Sequence, residues 1–234
     1  MPVKQVVGNG ISKKVEKTLA ITPPRMAVLT QKIVGTSPFV QARFAEKARQ
    51  QMRVKHEAGS TAKKGGKREA RDFAADYEGA MHRGPEGQHG IPAAAFRAAA
   101  ISACRLVGFK MTLGKMGLFV VADFNDPRDG TGLVELFGEP EELTLPVRNA
   151  TGVADLRIRP MWREWYAVPR IRFDLDMFTV ADVVNLLARI GAQVGIGEGR
   201  ADSKNSAGMG WGSFALEGDG DVEVMEAVTP ILLR

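Results

Sequence analysis

Cysteine is almost absent: Cys104 is the one thiol in 234 residues. The chain can therefore close no intrachain disulfide and build no multi-cysteine metal site. In its alanine-rich setting Cys104 reads as a small buried hydrophobe, which suits a reducing compartment. Histidine is nearly as scarce. His56, His82 and His89 lack the helical spacing H-E-x-x-H, and His82 and His89, separated by RGPEGQ, read as a polar turn rather than a ligand pair. No metal and no cofactor is expected. The phosphate-binding signature G-x-x-x-x-G-K-[ST] is missing, and Gly195, Gly197 and Gly199 follow a helical pattern rather than a strand, which speaks against a dinucleotide or ATP loop. No serine or cysteine has a recognisable partner for nucleophilic catalysis. Apolar runs stay well short of the roughly 18 residues of a membrane span, and no charged-then-apolar leader pattern is visible. The expectation is a soluble, cytoplasmic, non-enzymatic protein with no membrane partner.

What is present is a core and a basic block. A hydrophobic content of 44% with 25% charged residues supports one sizeable core and argues against disorder throughout. The formal charge of +5 is unevenly spread: residues 1–42 contribute +5, residues 43–71 contribute +7, and the remainder is acidic. Clustered cations release counterions from a polyanion more effectively than scattered ones, so the block reads as an electrostatic footprint. The plainer reading is a solvated basic face.

The expected organisation is a basic arm over 1–24 and one domain over 25–234, with a basic insertion at 38–72. Residues 25–34 (RMAVLTQKIV), bounded by Pro24 and Gly35, read as a first strand. From Pro38 to Lys55, Val40, Phe44, Ala48 and Met52 recur every four positions, with Arg43, Lys47, Arg49 and Arg53 on other faces; this predicts a basic amphipathic helix. The segment 56–72, holding Lys63, Lys64, Lys67, Arg68 and Arg71, reads as a loop that orders on a charged partner. Proline followed by alanines, with Gly108 as a stop, predicts a helix over 90–108. Strands are expected at 118–121, 133–137, 156–158 and 166–176, the last interrupted at Pro169. Thr179 and Asp182 form a capping box for a helix ending at Gly191.

Two regions carry binding chemistry. Residues 195–214, GIGEGRADSKNSAGMGWGSF, hold six glycines with Arg200, Lys204 and Trp211 among them. Glycine lets a main chain approach something closely, while cations and an aromatic ring suit phosphates and bases. A merely flexible loop is the alternative. Trp162, Trp165 and Tyr166, set among Arg157, Arg159, Arg163 and Arg170, read either as a base-stacking surface or as core tryptophans. Asp174 and Asp176 share a strand face and could hold a nuclease metal, although carboxylates at a strand end before a helix N-terminus are the commoner case.

Two helices, each flanked by strands, suggest an α+β sandwich of ferredoxin-like or RNA-recognition-like type. The segment GIPAAAFR, residues 90–97, resembles the Ile-Pro helix start of the RAMP superfamily, which builds the backbone of CRISPR effector complexes. The glycine-rich loop, ending in Gly210, Trp211 and Gly212, resembles that superfamily's loop after its second helix. The chain also resembles a family of phage and prophage proteins through TSPFVQARFAEKARQQM, residues 36–52, and GIGEGR, residues 195–200. The resemblance implies a single-stranded nucleic-acid binder of phage origin, acting in the host cytoplasm and lining up copies of itself. It implies strand-facing roles for Arg97, Arg200 and Lys204. Some members cut RNA with an aspartate after the first strand; VGTSPFVQARF, residues 34–44, has no carboxylate, so that cleavage is not expected. Two rivals stay open: a phage assembly or host-interaction protein using its basic arm, and a metal-dependent nuclease. DNA and RNA are not distinguished, because nothing in the sequence marks a 2′-hydroxyl contact.

Overall fold

In a computed structural model, the residues described are 22–44, 46–57, 71–148, 152, 154–203 and 208–225. Most of the expected basic arm lies outside them, as do Lys63, Lys64, Lys67, Arg68 and Lys204. In chain order the elements are β1 (Met26–Gly35), β2 (Phe39–Val40), α1 (Glu46–Glu57), α2 (Phe73–Gly79), β3 (Gly90–Pro92), α3 (Ala93–Leu106), α4 (Met111–Gly117), β4 (Leu118–Val121), β5 (Phe124–Asn125), β6 (Gly132–Phe137), β7 (Pro140–Arg148), β8 (Ala154–Trp162), β9 (Tyr166–Ala167), β10 (Arg170–Asp174), α5 (Val180–Arg189) and β11 (Phe214–Val224); a π-helical turn, Ile190–Val194, extends α5. Helices combine with wholly antiparallel strand pairing.

The centre is β1. One edge pairs with β11, from Ala27↔Val224 to Gly35↔Phe214, and the other with β10, from Met26↔Asp174 to Thr30↔Arg170. β4 lies beyond β10, giving the spatial order β11–β1–β10–β4. In sequence α3 runs between β1 and β4, and α5 between β10 and β11. On the other side of Pro169, β9 continues the β10 lane against Ile33 and Val34 and carries β6, which pairs with β3 and β5. Proline has no N–H for a ladder, yet its carbonyl still accepts the Gln31 N–H at 3.2 Å, so the lane bends without parting.

Alternation along β1 sends Ala27, Leu29 and Ile33 into the core. They meet Ile171 and Phe173 of β10, together with Phe96, Ala99, Ala100 and Ala103 of α3 and Val183 and Leu187 of α5. Alanines let α3 approach closely, and Cys104 is buried on the same helix. The Thr179 capping box is complete: its hydroxyl accepts the Asp182 N–H, and the Asp182 carboxylate accepts the Thr179 N–H. Gln31 occupies an inward position on β1 but is polar. Its amide donates to the carbonyls of Glu217 and Gly218, clasping a bulge where the β1–β11 register shifts.

A second sheet, β2–β8–β7, includes a long hairpin in register from Pro140↔Trp162 to Arg148↔Ala154. Here two expectations are corrected. The stretch 38–44 is not helical: Phe39 and Val40 are buried as β2, and the helix begins only at Glu46. Trp162 and Trp165 are not a stacking surface. They are 0% and 3% exposed, on either side of Phe39 with ring centroids 5.6 and 5.5 Å away, and Trp165 Nε1 donates to the Ser37 carbonyl at 2.8 Å. A buried indole yields more here through area and shape than it could on the surface. Among the described residues no helix is long and apolar enough to cross a membrane.

Candidate nucleic-acid interface

The glycine-rich loop folds back on itself and on β2. Ile196 N–H donates to the Gly212 carbonyl, Gly212 N–H to Pro38, Glu198 N–H to Val40, and Met209 N–H to Gly199, at 2.6 to 3.1 Å. Gly195, Gly197, Gly199, Gly208, Gly210 and Gly212 all have φ between 69° and 82°, the region that favours glycine. A Cβ on Gly197 would sit 2.6 Å from Phe39 and from the Val40 carbonyl oxygen; one on Gly199 would sit 2.5 Å from the Trp211 ring. The close approach that Gly197 and Gly199 permit is thus to other parts of the protein's own chain, and Gly197 also lines the space beneath the loop. Trp211 is half-buried against Gly199.

Beneath this loop lies a groove. A cavity of about 360 Å³ opens between Phe39 and Gln41, His82, Pro92 at the start of α3, and Gly197 and Arg200 of the loop. A second, of about 310 Å³, shares Ala95, Gly197 and Arg200 with it and continues along α3 past Ala98 and Ser102 to Arg105 and Asp202. The alanine face of α3 is its floor, and Arg200 stands where the two cavities meet. Arg200 donates Nη1 to the Gly197 carbonyl at 3.1 Å. Two other arginines at the loop are matched by acids: Arg105 by Asp202 at 2.9 Å and Arg159 by Glu198 at 2.5 Å. Four residues beyond Ala42, which also lines the groove, α1 begins. Its described side chains, Gln50, Met52, Arg53, Val54, His56 and Glu57, are all exposed.

At the inner end of the groove is a charge cluster with no signal in the sequence. Asp126, 0% exposed, accepts Arg128 Nη2 at 2.8 Å, Arg128 Nε at 2.9 Å, the Arg128 backbone N–H at 3.0 Å and His82 Nδ1 at 3.2 Å. Arg43, also buried, reaches Asp129 at 3.1 Å and lies 3.5 Å from Asp126. Burial alone would raise the Asp126 carboxyl, but the Arg128 guanidinium and backbone N–H, helped by His82, outweigh it and hold the group well below the carboxylate range. His82 is displaced in the opposite sense to a paired histidine: burial lowers it more than Asp126 raises it, so the ring is neutral in the fold. His82, Asp126 and Asp129 have the spacing of a metal site. Arg43 and Arg128 occupy their carboxylates, so the donor set fits ion pairing rather than a cation.

A pH dependence follows. With its folded pKa below the usual 6.5, His82 takes up a proton more readily in the unfolded chain, so stability falls as pH drops below about 6.5 and through the lowered folded value. Thermal melts from pH 8 to 5 are expected to show a falling midpoint, and His82→Asn to flatten it. His89, also lowered by burial and then by Arg83, leaves a residual slope. A midpoint equally pH-dependent in His82→Asn would assign the whole dependence to other groups.

The remaining expected site residues divide. Lys47, Arg49 and Arg53 lie on α1, with Arg53 exposed and paired to Glu57 at i+4. Arg43 is not on that helix and not exposed; the buried cluster claims it. Arg97 turns away from the loop, donating to the carbonyls of Leu118 and Lys115 and covering the Phe119 ring. Arg71 pairs with Asp76 and Asp155. Arg163 is exposed but bound to Glu141 on β7. Of the residues expected to bind, the groove itself brings together Gly197 and Arg200. His82 and Gln41 join them unforeseen. Asp174 and Asp176 do not face each other as ligands: Asp174 accepts the Asp176 N–H and Asp176 pairs with Arg25.

No family model and no curated protein sequence matches the chain. Among solved structures, it is similar to a chain in "Cryo-EM structure of the Type III-B Cmr-beta bound to cognate target RNA", with a TM-score of 0.44 and 11% identity over 87% of this chain. It spans 62% of that chain's length.

Proposed function

We propose that this protein binds single-stranded nucleic acid without catalysis, on a ferredoxin-like core of RAMP type. The β11–β1–β10–β4 order with α3 and α5 interleaved supports that core. One observation carries the binding reading: a continuous groove, floored by alanines and topped by the glycine-rich loop, places Arg200 at its middle, and the basic helix α1 begins four residues beyond its Ala42. A groove lined by small residues admits a backbone, and the cations of α1 and of the adjoining 58–71 segment supply phosphate contacts. Alignment of copies along the strand belongs to the same proposal, and phage origin rests on the two resembling segments alone.

A second reading is favoured by α1, where Met52 and Val54 are 53% and 57% exposed beside the charges. Exposed apolar side chains on a basic helix suit an acidic protein partner, as in an assembly or host-interaction protein. Fluorescence anisotropy with labelled single strands and duplex DNA across a salt series separates the two. Binding to single strands is expected to weaken linearly in log salt. Replacing Lys63, Lys64, Lys67 and Arg68 by alanine is expected to flatten that slope by up to about 0.7 per lost phosphate contact. Absence of binding to any strand at low salt overturns the nucleic-acid reading. Tight, salt-insensitive association with one protein supports the second.

A further inference from the structure

The polar groups at the inner end of the groove are mostly spent. Gln41 accepts the His82 N–H at 2.7 Å and donates to the Gly90 carbonyl at 2.8 Å, so both ends of its amide are engaged. Glu198 is held by Arg159. Arg200 uses one N–H on Gly197 and, as a guanidinium, has further donors. His82 is the exception on the acceptor side. Its ring lines the cavity, its side chain is 11% exposed, and Nδ1 is turned onto the fully buried Asp126. An ionised carboxylate can only accept, so Nδ1 carries the ring proton. A neutral ring then leaves a lone pair on Nε2, which has no partner among the described residues. The cleft therefore offers a cation and one fixed neutral acceptor. Its complement is a ligand that presents an anion to Arg200 and a hydrogen-bond donor to His82.

We infer that His82 is a specificity-determining residue, accepting at Nε2 a hydrogen bond from a hydroxyl or amino N–H on the bound strand, with Asp126 as the positioning residue that fixes the tautomer. This rests on the single-strand reading above. The donor has two sources in a nucleic acid, the ribose 2′-hydroxyl and an exocyclic base amine. A phosphodiester has no donor of its own, so contacts to the backbone alone leave Nε2 unfilled and give no preference. An acceptor desolvated by a ligand that lacks the donor costs affinity, which is how a single buried group discriminates.

The test measures anisotropy of the full-length protein with four labelled homopolymers: uridine against deoxyuridine, which differ in the 2′-hydroxyl, and deoxyadenosine against purine deoxyriboside, which differ in the amine. In one of the two pairs the strand with the donor is expected to bind about five- to tenfold more tightly. His82→Asn keeps a donor toward Asp126 but has nothing at the Nε2 position; it is expected to bring that ratio to about one. His82→Gln, whose amide reaches the Nε2 position, is expected to restore part of the ratio. Circular dichroism and thermal melts check that both variants fold. Equal affinities within both pairs for the natural protein, or a ratio that survives in folded His82→Asn, overturn the inference while leaving single-strand binding in place. Loss of all strand binding in the natural protein overturns the reading beneath it.

Discussion

Replacing Asp126 with alanine is expected to lower stability by about 3–5 kcal/mol, the cost of breaking a buried ion pair from one side. The carboxylate is 0% exposed and accepts from Arg128 through side chain and backbone and from His82 Nδ1. It also joins three parts of the chain: Arg43 after β2, His82 between α2 and β3, and the turn from β5 to β6. Removing it leaves Arg128 without its main acceptor and releases the His82 ring. Urea denaturation of Asp126→Ala beside the natural protein measures the loss. Asp126→Asn, which keeps volume and one acceptor but not the charge, is expected to lie between them. Asp176→Ala is the contrast: it breaks a 2.7 Å pair with Arg25, but both side chains face solvent and screening leaves the midpoint unmoved. A loss below about 1 kcal/mol for Asp126→Ala would show that the cluster contributes no net stability, as some buried ion pairs do not.

The loss of fold should extend to the groove. Asp126 sets the His82 ring, and the Gln41 that lines the cavity is bonded to the His82 backbone. Strand affinity in Asp126→Ala is therefore expected to fall even where the protein remains folded, and the preference of the natural protein for a donor-bearing strand to go with it. His82→Asn separates the two effects, because it leaves Asp126 in place.

Much of the frame was legible from local pattern. β1, α3, β4, β6 and β10 follow apolar spacing bounded by proline or glycine, and α5 is announced by its cap; all are found within a few residues of expectation. β7 was not legible. Its PEELTLPVR carries two prolines, which a strand tolerates when it pairs on one side only, as β7 does with β8 among the described residues. The four-residue recurrence from Val40 to Met52 is real but spans two environments: Val40 serves a sheet and Met52 a helix. Burial decided the tryptophans, and composition carries no information about which face of β8 is inside. The charge cluster was hidden for a different reason. DPRDGT, residues 126–131, reads as a solvated turn, and its partners Arg43 and His82 stand 83 and 44 residues upstream. Only the fold brings them together.

Glycines 210 and 212, two residues apart with nearly the same φ, should respond very differently to alanine. Gly210 has φ 72°, and a Cβ there would meet nothing within 4 Å, so Gly210→Ala costs the left-handed backbone alone, about 1–2 kcal/mol. Gly212 has φ 69°, and a Cβ there would fall 1.8 Å from the Ile196 carbonyl oxygen and 2.9 Å from the Ile196 nitrogen. Both are backbone atoms of the stretch of loop that Gly212 itself holds, through the Ile196 N–H to Gly212 carbonyl bond. No rotamer change can relieve that overlap; the loop must come apart. Gly212→Ala is expected to cost about 4 kcal/mol or more, in the range reserved for named steric failures. Because Gly212 N–H also ties the loop to the Pro38 carbonyl, the roof of the groove is lost with it. Strand binding is then expected to weaken at least tenfold in Gly212→Ala under conditions where it remains folded, and to stay near that of the natural protein in Gly210→Ala. Equal melting points for the two variants would mean that the loop does not close on Ile196. Equal affinities, with the stability difference intact, would place the strand elsewhere on the surface and leave the glycines a purely structural role.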